Sequence, residues 1–359
     1  MAEGSIQLTF SEKLNFFKLV GSLPFAMAYT ALRHLILPPK ESPGVGRAVA
    51  TAFMTIVASM TLRQSKGMMP AMPPTGKVIE KHCSKYKLKH EVDNLPQNAK
   101  VHWIGSRPAN GGKVLLYLHG GGYNFSADPN HVVWAVKCAS RANASLSMLE
   151  YTLAPEGRFP TQLIQATEAL KHILAITSPS KVLIAGDSAG GHLALSLLSH
   201  LTHPSKDIEA LPLSENLGGI CVNSPVLSFN YDNCKSYQYN GDKDYLSLRM
   251  MKEFHENFKA PGMSDEEAIK DPRISPLDAP VGWWADLPVN RILLTMAAWE
   301  VFLDDCTRFG ERLQGEAASK TKADVVLGMR EVHSPCVMDA FLDREDGDST
   351  AAVLAWMSS

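Results

Sequence analysis

The segment Gly186-Asp187-Ser188-Ala189-Gly190 constrains the fold of this chain more than any other. The apolar run Val182-Leu183-Ile184-Ala185 precedes it, and a helical pattern through His192, Leu193, Leu195 and Leu198 follows. A serine between two glycines at a strand-to-helix junction sits on a sharp, strained turn. Side chains at the flanking positions would collide there, which is why glycine occupies both. The turn lifts the Ser188 hydroxyl above the sheet edge, over the positive end of the following helix.

A second glycine-rich turn stands about seventy residues earlier. His119-Gly120-Gly121-Gly122-Tyr123 follows the strand-like run Val114–Leu118. Glycines after a strand leave backbone N–H groups free to point into a cavity. Gly120, Gly121 and Gly122, with the N–H of Ala189, are the expected oxyanion hole for a tetrahedral intermediate. Either motif alone is weak. Both, each after a strand and in this order, are specific.

These residues resemble the hormone-sensitive-lipase-like family of α/β-hydrolases, in its fungal or microbial esterase form. The matching text is His119-Gly120-Gly121-Gly122, Tyr151-Thr152-Leu153-Ala154-Pro155-Glu156, Phe159-Pro160, Gly186-Asp187-Ser188-Ala189-Gly190-Gly191, Ser224-Pro225 and Ser275-Pro276-Leu277. The resemblance covers about residues 110 to 357 and implies an α/β-hydrolase fold with a serine, acid, histidine order along the chain. It implies no metal and no organic cofactor.

From about residue 80 onward, short apolar runs alternate with helical periodicity. Strands are predicted at Val114–Leu118, Leu146–Thr152, Val182–Ala185, Gly219–Asn223, Ile292–Met296 and Val325–Met329. Helices are predicted near Pro129–Ala142, Thr161–Ile176, Ala189–Leu201, Asp304–Leu313 and Thr350–Trp356. This alternation predicts an α/β architecture with a mostly parallel central sheet, helices on both faces and reactive groups at the carboxyl ends of strands. Residues 80–359 form the expected catalytic domain. Residues 235–285 break the alternation, are rich in aromatics and are expected to contribute to a lid.

Residues 1–79 match none of these motifs and are expected to form a helical cap. Leu19–Leu32 and Ala48–Leu62 are uncharged runs, each short of a bilayer span, and Pro24 interrupts the first. Residues 40–47 and 64–77 read as loops. A cap over the site is the favoured role. Peripheral membrane contact through this segment is the alternative to a cytoplasmic location. A homo-oligomer is left open.

A serine hydroxyl needs a base to become a nucleophile. Only His333 follows the last predicted strand, so it is the expected base. The acid must follow Ile292–Met296, where the resembled family commonly carries Asp-Pro-Leu. Glu300 stands at that position, and glutamate serves in this fold. Asp304 is the runner-up, though Asp304 and Asp305 also suit the first turn of a helix. Asp187 and His119 are expected to be structural, Tyr123 to line the substrate pocket, and Glu156 and Arg158 to form a local polar network.

With 35 basic and 37 acidic side chains, the formal charge of −2 gives no footing for nucleic acid. Lys85, Lys87, Lys89 and His90 read as a solvated face. Six scattered cysteines show no metal-ligand spacing. The expected activity is serine-dependent hydrolysis of a small to medium apolar ester, with deacetylation or ester or lactone cleavage of a secondary metabolite as the family-based extension. Acyl transfer, cyclisation or amide cleavage with the same residues is the alternative. A non-catalytic binding protein is the lesser one.

Overall fold

The structure, a computed structural model, describes residues 7–37, 39, 41–68, 72–109, 111–317 and 320–359. Its centre is an eight-stranded sheet in the order β1-β2-β4-β3-β5-β6-β7-β8. The strands are β1 His90–Asn94, β2 Lys100–Ile104, β3 Val114–Leu118, β4 Ser145–Glu150, β5 Val182–Asp187, β6 Gly219–Asn223, β7 Arg291–Ala297 and β8 Lys322–Gly328. β3 through β8 run parallel; β2 is antiparallel to both β1 and β4.

The helices are α1 Phe10–Ile36, α2 Val45–Ala58, α3 Leu62–Met68, α4 Thr75–Tyr86, α5 Pro129–Ala142, α6 Thr161–Leu174 and α7 Ala189–Thr202. Then follow α8 Ser236–Tyr239, α9 Leu248–Phe258, α10 Asp265–Lys270, α11 Leu303–Glu316, α12 Pro335–Phe341 and α13 Asp348–Met357.

Side chains alternate across the strands, as a two-residue period requires. Leu116, Leu118, Ile184, Val222 and Leu294 join α6, α7 and α11 in one core. Leu115, Tyr117, Leu183, Cys221 and Leu293 join α4, α5 and α13 in the other. Burial on both faces explains why the central strands read as continuous apolar runs. All six cysteines are free and buried.

Three expectations are corrected. The hairpin β1–β2 was not predicted, because polar His90, Glu91 and Asp93 mask its pattern; β1 is a short, charged edge strand of the kind that blunts edge pairing. Lys85, Lys87 and Lys89 are exposed all the same. Of the two expected loops, residues 64–68 belong to α3, and residues 45–47 and 75–77 open α2 and α4; buried Gln64 Nε2 donates to the Glu12 carbonyl at 2.8 Å. The division after residue 79 falls inside α4, whose Val78, Ile79 and Cys83 belong to the sheet core.

The first apolar run lies in α1, and the second is helical only to Ala58, where α2 ends before α3 begins at Leu62. α1 starts well before its uncharged stretch because a capping box sets it: Thr9 Oγ1 accepts from Glu12 N, and Glu12 accepts from Thr9 N at 2.7 Å. Pro24 lies within the helix. α1 buries no residue completely and rests on α2 and α3. These in turn touch the body of the molecule: Arg249 Nη2 of α9 donates to the Ser59 carbonyl at 3.0 Å, and Leu62 N donates to Glu253 at 3.0 Å.

Candidate active site

Ser188 links β5 to α7 with φ +52° and ψ −120°, a strained conformation for a residue with a side chain. Its neighbours leave no choice of residue. A Cβ on Gly190 would lie 2.0 Å from the Leu118 carbonyl oxygen, and one on Gly186 would lie 2.5 Å from that of Gly190. The Ser188 N–H donates to the Asn223 carbonyl at 2.9 Å, tying the turn to β6. Ser188 is half-buried.

The loop after β8 brings His333 to Ser188, with Nε2 to Oγ at 2.8 Å. On the other side of the ring, Nδ1 meets Glu300 Oε2 at 3.0 Å. A carboxylate only accepts, so Nδ1 carries the proton and Nε2 offers its lone pair to the serine O–H. Glu300 is fully buried, and its Oε1 accepts from Ala297 N at 2.8 Å. Asp304 does not reach the imidazole; it accepts from Ser236 N at 2.9 Å and from the Tyr239 hydroxyl. Asp305 pairs with Arg308 at 2.5 Å.

In the glycine loop, Gly121 and Gly122 have φ of +109° and +59°. Among the described residues, no acceptor meets the N–H groups of Gly121, Gly122 or Ala189. Gly120 differs from the expectation: its N–H donates to Asp187 Oδ1 at 3.2 Å and is committed. It is glycine because a Cβ there would lie 2.2 Å from Asp187 Oδ2.

Asp187 also accepts from the Tyr117 hydroxyl at 2.7 Å and faces His131 Nε2 at 3.4 Å. Burial disfavours charge on both partners, but their mutual attraction prevails: the aspartate is held below its ordinary range and the imidazole well above. His119 is buried, with Nδ1 against the Gly120 carbonyl at 2.7 Å and Nε2 against Thr75 Oγ1 at 3.2 Å. Burial pushes its pKa down to about 4, so it braces the loop as a neutral ring.

Tyr123 is also placed differently from the expectation. Its ring is buried against Phe258, centroids 4.2 Å apart, and its hydroxyl meets His192 Nδ1 at 2.6 Å. It supports the loop rather than lining an open pocket. His192, pushed down to about 4 by burial, is neutral and turned to the Ile274 carbonyl at 2.8 Å. Arg158 bonds the Glu256 carbonyl at 2.9 Å, at the end of α9, rather than Glu156. Phe254 of α9 closes on the glycine loop so tightly that a Cβ on Gly122 would lie 2.2 Å from its ring.

Sequence reasoning did not find the residues that grip the loops carrying Glu300 and His333. Asn240 Nδ2 donates to the carbonyls of Ala298 and Glu300, each at 3.0 Å. Asp244, fully enclosed, accepts from Val301 N at 2.9 Å and from His333 N at 3.3 Å. Burial pushes its carboxyl up to about 6, against the pull of the imidazole and the backbone donors. The Tyr245 hydroxyl donates to the His333 carbonyl at 3.0 Å. These residues fall within the mid-chain excursion, and no motif marks them. A cleft of about 500 Å³ lies behind the His333 loop, between α2 and residues Trp299, Val332 and Met338; Ser188 does not line it.

The comparisons with known proteins agree with this architecture. A family profile described as alpha/beta hydrolase fold matches residues 115–334. An esterase of Gibberella moniliformis is 26% identical over 246 residues, covering 67% of this chain and 71% of the relative. Arylacetamide deacetylase of Bos taurus is 27% identical over 188 residues, 48% of this chain and 46% of that one. The crystal structure of carboxyl esterase 2 from the mycorrhizal fungus Tuber melanosporum superposes with a TM-score of 0.63 at 16% identity, covering 80% of this chain and 98% of that one.

Proposed function

Because the chain belongs to the α/β-hydrolase family, in its hormone-sensitive-lipase-like branch, we propose that it is a serine carboxylesterase in which Ser188 attacks, His333 moves the proton and Glu300 orients the imidazole. The observation that carries this reading is the relay from Ser188 Oγ through both nitrogens of His333 to Glu300, at 2.8 and 3.0 Å.

The chemistry follows from the parts. His333 Nε2 takes the hydroxyl proton as Ser188 Oγ bonds to the ester carbonyl carbon. Negative charge collects on the carbonyl oxygen, where the N–H groups of Gly121, Gly122 and Ala189 receive it; one such donor is worth about 10²–10³ in turnover. The imidazolium, stabilised by Glu300, protonates the departing alkoxide. Water then enters, loses a proton to His333 and releases the acid from the acyl-enzyme.

The substrate is proposed to be a small to medium apolar ester, with deacetylation the favoured case. Phe125 and Phe254, ring centroids 5.7 Å apart beside the glycine loop, support an apolar neighbour for the reacting carbonyl. The similarity to bovine arylacetamide deacetylase supports removal of an acetyl group. Ser188→Ala tests the reading: hydrolysis of p-nitrophenyl butyrate falls to background while the circular dichroism spectrum is retained. Undiminished turnover in that variant would overturn it.

A further inference from the structure

α1 is apolar on both sides. Its inward side, through Phe16, Leu19 and Leu23, is shielded by α2 and α3. The outward side carries Phe10, Leu14, Phe17, Phe25, Leu32 and Leu35, at spacings that form one continuous stripe along a helix. These side chains are bare: Phe10 is 82% exposed, Phe25 78%, Leu35 69% and Phe17 63%. At 27 residues the stripe runs along a helix about 40 Å long. A water-facing surface would not be built this way, because an apolar patch of that size drives association.

Charge selects the occupant. Lys13 and Lys18 flank the stripe on either side at 3.6 residues per turn. Among the described residues, neither has a carboxylate within salt-bridge distance. The one acid of the helix, Glu12, is held by Arg63 at 3.2 Å. The helix therefore presents bare cations on a chain whose net charge is −2. Stripe-to-stripe pairing with a second copy would bring the flanking lysines of both helices together at the seam. An anionic bilayer surface answers both features at once: apolar side chains enter the acyl boundary and lysines meet the headgroups. No single described helix is long and apolar enough to cross a membrane; the bare stripe along the length of α1, flanked by lysines, fits a helix lying in the interface plane.

We propose that α1 seats the protein on an anionic lipid surface through the Phe10–Leu35 stripe. This reverses the preference for a simple cap drawn from the sequence, and it does not depend on the esterase reading. The test is co-sedimentation of the full chain with vesicles of phosphatidylcholine alone and with about a third phosphatidylserine. The wild type should pellet with the anionic vesicles. Phe17→Ser/Phe25→Ser/Leu32→Ser should lower the bound fraction at least about tenfold, and Lys13→Glu/Lys18→Glu should abolish the preference for anionic over neutral vesicles. These side chains are exposed, so unchanged circular dichroism and ester hydrolysis serve as the folding control. Wild type that stays in the supernatant would overturn the proposal. So would a wild-type dimer, seen by light scattering, that the triple substitution dissolves without altering vesicle binding.

Discussion

The two halves of the site are built in opposite ways. The Ser188 half is local: β5, the Ser188 turn and α7 are consecutive, and glycines at 186 and 190 are dictated by carbonyls within 3 Å of where a side chain would begin. The imidazole half is assembled from afar. Glu300 and His333 leave neighbouring strands, β7 and β8, and are gripped by Asn240, Asp244 and Tyr245 from the excursion after β6. The first half is fixed by sterics and the second by hydrogen bonds. Substitutions should therefore act differently in each.

The largest effect is expected at Ser188, the proposed nucleophile. Ser188→Ala should lower kcat by about 10⁶-fold, the scale on which triad serines act, with no loss of thermal stability. Glu300→Gln comes next, at about 10⁴-fold in kcat with KM little changed, because the amide cannot hold the imidazole in the required tautomer. Equal losses in these two variants would erase the distinction between attacking and orienting groups.

Gly122→Ala tests the steric half. A Cβ 2.2 Å from the Phe254 ring, at φ +59°, forces the loop or α9 to move. A loss of about 10²–10³ in kcat, the value of one oxyanion donor, is expected, together with a lower melting temperature. Unchanged kinetics would show that this N–H takes no part.

Asp244→Asn probes the grip on the base. The amide places an N–H₂ group against backbone donors, so the His333 loop should loosen. Roughly 1–2 kcal/mol of transition-state stabilisation, about tenfold in kcat, should be lost with KM retained. A change confined to KM would mean that Asp244 shapes the pocket instead.

The smallest effect on turnover is expected at Glu331. Its carboxyl is buried with Ser349 Oγ at 2.5 Å, and burial, aided by Asp339, raises its pKa from the ordinary 4.5 to about 7. The native protein keeps this proton where the unfolded chain has lost it. Its stabilising contribution is therefore full below pH 4.5 and fades as pH rises through about 7. Glu331→Gln, which mimics the neutral acid, should flatten the fall in melting temperature between those limits, worth up to roughly 3 kcal/mol, while kcat stays near wild type. An unchanged slope would assign the pH dependence to other groups.

The same contrast explains what the sequence reveals. Ser188 and the glycine loop are legible because local sterics dictate residue type at fixed spacing. Glu300 and His333 can be located by their positions after strands, since the parallel order of β6, β7 and β8 brings those strand ends together. Asp244 is illegible: its two partner loops lie 57 and 89 residues away, and nothing in Asp242-Lys243-Asp244 announces them. Gly120 reads like its neighbours in sequence because its bond to Asp187 depends on the packing of two turns. The β1–β2 hairpin is illegible because its edge position allows charge to replace the apolar pattern. In α1 the helix is legible, but the bareness of its outer face is not, because identical apolar spacing also suits a buried helix.

The central claim is that Ser188 is the nucleophile, activated by His333. Treatment with a fluorophosphonate, followed by peptide mass spectrometry, tests it most directly. The account predicts one modified side chain, Ser188, in the wild type, with labelling abolished in Ser188→Ala and slowed at least a hundredfold in His333→Ala, about the contribution of a general base. Modification at another residue, or ester hydrolysis that persists with Ser188 unlabelled, would contradict it.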